Sequence, residues 1–139
     1  MLAAQQMGEY LRYHSKIGSR LSELAILVTA RQWNQQVEWA IHAPIAQEAG
    51  IAPAVIDAIA HRRAPPGLAP DEQAVYDFCM ELQRDKRVSD ATYAAALRLF
   101  GEHGVTDLMG LNGYYTFLAM VMNAAQSAPP ESTATPLPE

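Results

Sequence analysis

The residues best placed to do chemistry are Glu38 and His42, four apart in Glu38-Trp39-Ala40-Ile41-His42. On a helix that spacing puts both side chains on one face, where a carboxylate and an imidazole set each other's protonation state. From Trp39 to Ala46 the polar side chain is His42, in an otherwise apolar run. Burying such a pair costs desolvation unless both partners are satisfied, so its presence there asks for a reason. A carboxylate beside the ring raises the imidazole pKa and holds one tautomer, making His42 a proton donor near neutral pH. The plain alternative is a pair on a solvated helix face, and the apolar neighbours argue against it. Pro44 follows two residues later. It cannot bond the Ala40 carbonyl and predicts a kink beside the pair, at roughly 3 kcal/mol in a regular helix interior.

Other candidates carry simpler explanations. Glu23 lies near the start of a helix, where a carboxylate favours the dipole. His14, His61 and His103 sit at helix ends beside charged residues and read as surface groups. Cys79 has helical spacing with Phe78 and Leu82 and reads as core filling. Trp39, Tyr114 and Tyr115 are candidate substrate contacts, although aromatic residues in an apolar helix more often pack. Two ligands are too few for a metal and no second histidine follows at a zinc-type spacing, so no metal is expected. The chain has no Gly-rich phosphate loop, Gly-x-Ser-x-Gly elbow or Cys-x-x-Cys pair.

Helical periodicity dominates, and no segment alternates as a strand would. Helices are expected from about Ala3 to Tyr13, from Arg20 to Gln32 with Ser19 as cap, and from Gln36 to Ala49 with Gly50 as stop. Pro53 opens a short helix to about His61. After a proline-rich connection, Arg62 to Pro70, a helix runs from Asp71 to about Arg84. Ser89 caps a sixth, burying Tyr93, Ala96, Leu97 and Phe100. Gly104 separates it from a last helix, Thr106 to about Gln126. The expectation is thus an all-α bundle of six to seven helices in one domain, residues 1–126. A proline-rich tail, 127–139, is expected to be disordered.

Composition narrows the function. The chain has 139 residues, half of them hydrophobic; domains near that size bury roughly 70% of their unfolded surface. A net charge of -5 and a pI near 5.3 give no footprint for nucleic acid or anionic membranes. One cysteine rules out an intrachain disulfide and suits a reducing compartment. Met1 to Gln6 lack a signal-peptide pattern, so a cytoplasmic protein is expected. Leu108 to Pro130 carries no charge, but Gly110, Asn112, Gly113, Thr116 and Asn123 dilute it, which favours a buried helix over a membrane span. A small domain has little core to surround that helix, so a partner copy is expected to cover part of it.

Three blocks carry a family resemblance: Leu21–Ala30 (LSELAILVTA), Glu38–His42 (EWAIH) and Ile45–Gly50 (IAQEAG). Together they resemble the carboxymuconolactone decarboxylase family, which includes the alkylhydroperoxidase-like proteins. Val88-Ser89-Asp90, Gly113-Tyr114-Tyr115, Leu118-Ala119-Met120 and Asn123 resemble the second half of its longer members. The resemblance implies an all-helical fold in trimers or hexamers. The peroxidase branch uses a Glu, Cys-x-x-Cys, His relay. Laid on this chain, its glutamate falls on Glu23, its histidine on His42, and its cysteines on Gln35 and Glu38, neither of which undergoes thiol redox chemistry. The decarboxylase branch is closer, since this chain keeps a glutamate four before the histidine. The resemblance therefore implies a lyase without cofactor, acting on a small lactone or carboxylate. His42 would be the proton donor, Glu38 its support, and Glu23 or a tyrosine would position substrate. The competing expectations are a peroxiredoxin-like antioxidant protein and a non-catalytic binding member of the fold.

Overall fold

The computed structural model describes residues 1–131 and 136–139. Six helices follow one another: α1 (Leu2–Tyr13), α2 (Ser19–Gln32), α3 (Gln36–Glu48), α4 (Pro53–Ala60), α5 (Pro70–Asp85) and α6 (Asp90–Ala124), with no strand among the described residues. The all-α expectation holds.

At the centre lies α2, in contact with α3, α5 and α6. Every residue from Leu21 to Arg31 is buried. A helix enclosed on all sides has no solvated face for its polar residues, so Glu23, Thr29 and Arg31 must find partners inside the protein. That is why α2 organises the chemistry described below.

Several element ends differ from expectation. Ser19 is the first helical residue of α2 rather than its cap, which is Gly18 at φ 82°. The last two expected helices are one run, α6, interrupted at Gly101 (φ 69°, ψ 176°) and not at Gly104. Only glycine takes that backbone cheaply. Gly104 is helical and buried, and is kept small by Phe100, whose Cβ lies 2.6 Å from where a Cβ on Gly104 would sit. Of the residues expected inside this segment, Ala96 is fully buried while Tyr93 and Leu97 are exposed. Tyr93 stacks on Phe78 at the rim of the core, centroids 6.4 Å apart. Ser89 does cap α6, accepting from Thr92 N at 3.3 Å.

Asp107 on α6 fixes α1 over the bundle. It accepts from the Tyr10 hydroxyl at 3.0 Å and from Lys16 N at 2.8 Å. α3 continues through Pro44 to Glu48 and stops at Gly50, with Ile51 N donating back to Ala46 O at 3.0 Å.

Part of the tail expected to be disordered, residues 132–135, lies outside the described residues. Its end is held. Leu137 is 3% exposed, and the Gln36 amide bonds both sides of its backbone, donating to Leu137 O at 3.0 Å and accepting from Leu137 N at 2.8 Å. Arg31 Nη1 donates to Pro138 O at 3.0 Å. A buried leucine and a matched amide offset ordering entropy that composition alone would not recover. Among the described residues, no helix is long and apolar enough to cross a membrane.

Candidate functional site

The site is built from the start of α3 and the first half of α2. Gln35 caps α3: its Oε1 accepts from Val37 N at 2.7 Å and Glu38 N at 3.3 Å. Its Nε2 donates to Asn123 Oδ1 at 2.8 Å, and Asn123 Nδ2 donates to Trp33 O at 3.0 Å. The cap thus ties the start of α3 to the far end of α6. Glu38 follows in the first turn, where the helix dipole favours a carboxylate. His42 stands one turn on, over the same face.

Both ring nitrogens of His42 meet carboxylates. Nδ1 lies 2.7 Å from Glu23 Oε2 and Nε2 lies 3.2 Å from Glu38 Oε2. An ionised carboxylate only accepts, so this geometry fits an imidazolium donating from both nitrogens. Burial pulls the His42 pKa down, but the hydrogen bonds the ring donates to Glu23 and Glu38 and their charges outweigh it, and the pKa is raised. All three residues are buried.

Glu23, explained from sequence by the helix dipole, is therefore the closer partner of His42. Nineteen residues separate the two, so helical spacing gave no hint of the contact, and only the family resemblance set them in one site. The Glu38–His42 pairing expected from spacing is present at the longer distance.

Tyr115 closes the site from α6, its ring edge-on to His42 at 5.3 Å and 87°. Tyr114 meets Tyr115 in the same way, at 5.3 Å and 88°. Both tyrosines line a pocket of about 370 Å³ with Gln5, Gly8, Glu9, Arg12 and Tyr13. Gly8 allows this closeness, since a Cβ there would sit 2.3 Å from the Tyr114 hydroxyl. Burial pushes the Tyr115 phenol above its usual range, against the opposing charge of Arg12. Among the described residues Arg12 has no carboxylate partner; its Nε is buried without an acceptor and its Cζ lies 5.1 Å from the Tyr13 ring centroid. Arg12 gave no signal of its own in the sequence, because a basic residue in the last turn of an amphipathic helix already suits the dipole.

Trp39 does not join the two tyrosines. It lines a separate pocket of about 380 Å³ with Ala43, Pro44, Pro136 and Pro138. One residue along a helix turns the side chain by about 100°, which carries Trp39 off the Glu38–His42 face.

Cys79 lies apart, on α5. It is fully buried, its thiol is pushed up to about 12 by burial, and Asn112 Nδ2 donates to its sulfur at 3.2 Å. A thiol held that way is not a nucleophile near neutral pH. His14, His61 and His103 are exposed, as expected.

The fold is shared with solved proteins. A protein of unknown function from Agrobacterium tumefaciens, proposed to be the antioxidant defence protein AhpD, superposes with a TM-score of 0.81 at 13% identity, over 93% of this chain and 89% of its own. An uncharacterised peroxidase-related protein from Silicibacter sp. TM1040 superposes with a TM-score of 0.77 at 18% identity, over 95% of this chain and 71% of its own. The chain thus has the AhpD-like helical fold. No family profile matches the sequence, and no curated protein matches it.

Proposed function

We propose that this chain is a cofactor-independent acid–base enzyme of the carboxymuconolactone decarboxylase type, acting on a small lactone or carboxylate. The observation that carries the reading is the His42 ring held between Glu23 and Glu38. A protonated, buried imidazole is a proton donor in a place where water does not compete. In the reaction, the bond from the substrate carbon to its carboxylate breaks and CO2 leaves. The electron pair passes into the conjugated lactone carbonyl, and the His42 proton then adds to carbon. Solvent restores the proton to the ring. Glu23, the closer partner, fixes ring orientation, and Nε2, with the longer bond to Glu38, gives up its proton. The pocket beside Tyr115 receives the substrate, with Arg12 facing its anionic end. Tyr115 stands between pocket and imidazole, and turning its ring opens the path.

The names of the two similar structures suggest peroxide chemistry instead. That reading needs thiols where this chain has Gln35 and Glu38, and those residues are engaged as a helix cap and a histidine partner. Cys79 on α5 is no substitute. The discriminating experiment measures CO2 release from a carboxymuconolactone beside dithiol-dependent peroxide consumption. CO2 release lost in a folded His42→Ala variant, with peroxide turnover near background, supports the proposal. Robust peroxide turnover abolished by Cys79→Ser would replace it.

The same reading takes the chain to be a homo-oligomer, a trimer or hexamer. Met109, Phe117, Met120 and Val121 are 41–50% exposed on α6, at spacings that put them on one helix face. Nothing lies within 4 Å of a Cβ built on Gly113, between them. A second copy covers such a stripe more readily than water does. Light scattering at micromolar concentration should give a trimer or larger for the wild type and a smaller species for Phe117→Glu; a wild-type monomer would end this part of the proposal.

A further inference from the structure

Away from His42, a smaller pocket of about 190 Å³ opens where the ends of α2 and α4 approach α5. Its polar lining is Arg31, Gln32, Arg62, Arg63 and Tyr76, with no carboxylate among the lining residues. The chain as a whole has 15 acidic and 10 basic residues, so three arginines on one small pocket reverse its overall balance. Arg63 is paired with Asp57. Arg31 and Arg62 have no acidic partner among the described residues. Instead both donate to one neutral oxygen, Asn34 Oδ1, at 3.3 Å from Arg31 and 2.7 Å from Arg62. Two guanidinium groups on a single amide oxygen repel each other and leave most of their donors unused.

Three further observations point the same way. Arg31 is 4% exposed and its Nε is buried without an acceptor, which is costly unless something compensates the charge. Burial and the charge of Arg62 together lower its pKa. Asn34 and Arg62 both hold left-handed backbone, at φ 50° and 55°, where a residue such as arginine is disfavoured.

A plain helix-capping role is the competing explanation, since cations suit helix C-termini. It accounts for little: the contact from Arg62 Nη2 to Arg31 O is 3.5 Å, longer than a good hydrogen bond. Two helix ends supply roughly half a negative charge each, against two full positive charges. The pocket stays electropositive.

We infer that this pocket is an oxyanion-binding site for a phosphate-sized group, held between the guanidinium groups of Arg31 and Arg62. Its volume of about 190 Å³ is room for roughly six water-sized groups at ~30 Å³ each, which admits phosphate or a small phosphate monoester. Planar guanidinium donors match such oxygens two at a time. Arg31 also donates to Pro138 O, so the occupied site is felt by the docked tail.

The test is titration of the full chain with inorganic phosphate against sodium chloride and sodium acetate at matched ionic strength, followed by calorimetry and by the Leu137 amide NMR signal. Saturable phosphate binding is expected, with a shift at Leu137, and weakening of about tenfold or more in Arg62→Gln, since a charge-assisted contact is lost. Arg62 is exposed, so its variant should fold; thermal unfolding in chloride checks this. Acetate binding as tight as phosphate would assign the pocket to carboxylates and overturn the inference as stated. So would phosphate and chloride acting alike, or Arg62→Gln binding phosphate as well as the wild type. Phosphate binding seen only in Glu139→Gln would give the pocket to the tail's own carboxylate, and overturn it too.

Discussion

Two polar centres are buried against α2, and they differ in charge. On the α5 and α6 side, Gln83 donates to Asn112 Oδ1 at 3.1 Å and to Thr116 Oγ1 at 3.1 Å, and accepts from Trp33 Nε1 at 3.2 Å. Cys79 joins through Asn112. Every member is neutral, and such bonds each contribute about 1 kcal/mol net. On the α3 side, two carboxylates and one imidazole share a site of comparable burial. Desolvating ions costs several kcal/mol each before pairing recovers it, and an apolar replacement of similar volume is often no less stable. A fold needing only stability has no use for the second arrangement. The neutral centre holds helices together; the charged centre raises the pKa of the histidine it encloses.

The largest expected effect comes from breaking the charged centre. His42→Ala should lower CO2 release by about 10²–10⁴-fold. It also leaves two buried carboxylates facing each other without a cation, so chemical denaturation should show a loss of about 3–5 kcal/mol. If the variant keeps both activity and stability, the centre is as inert as the neutral one.

A pH dependence separates the two centres next. Folding raises the His42 pKa above its ordinary 6.5. The stability contributed by that proton is therefore fully present below pH 6.5 and is lost as pH rises through the folded value. Wild-type unfolding free energy should fall across that window. Glu23→Gln should flatten the fall more than Glu38→Gln, because Glu23 is the closer partner, and both should move the alkaline limb of the activity profile, where the protonated donor is lost, to lower pH. Equal, pH-independent losses would point to packing instead.

The smallest effect is expected at the neutral centre. Cys79→Ser should leave activity unchanged and alter stability by about 1 kcal/mol, and a thiol reagent should label native protein only at the rate of unfolding. Rapid labelling of the native state would contradict the placement of this thiol.

Local pattern made the helices and the Glu38–His42 pair legible, because both rest on i, i+4 spacing. What it hid was long-range. Glu23 reaches His42 from another helix, Arg12 matters only because α6 brings Tyr115 to it, and Arg31 and Arg62 meet only when α2 and α4 pack. The break in α6 was placed at the wrong glycine, since Gly101 and Gly104 differ in backbone angle and not in composition. The tail's proline content suggested disorder, while one leucine and the Gln36 amide anchor its end. Trp39 read as a candidate substrate contact beside Tyr114 and Tyr115, and helical rotation takes it to another pocket.

The central claim is that His42 is a protonated ring held by two carboxylates, and NMR titration of its imidazole nitrogens tests that most directly. The expected result is a midpoint above 6.5 with both nitrogens protonated below it, and a clear fall in that midpoint in Glu23→Gln. A midpoint at or below 6.5, or one indifferent to Glu23→Gln, would contradict it.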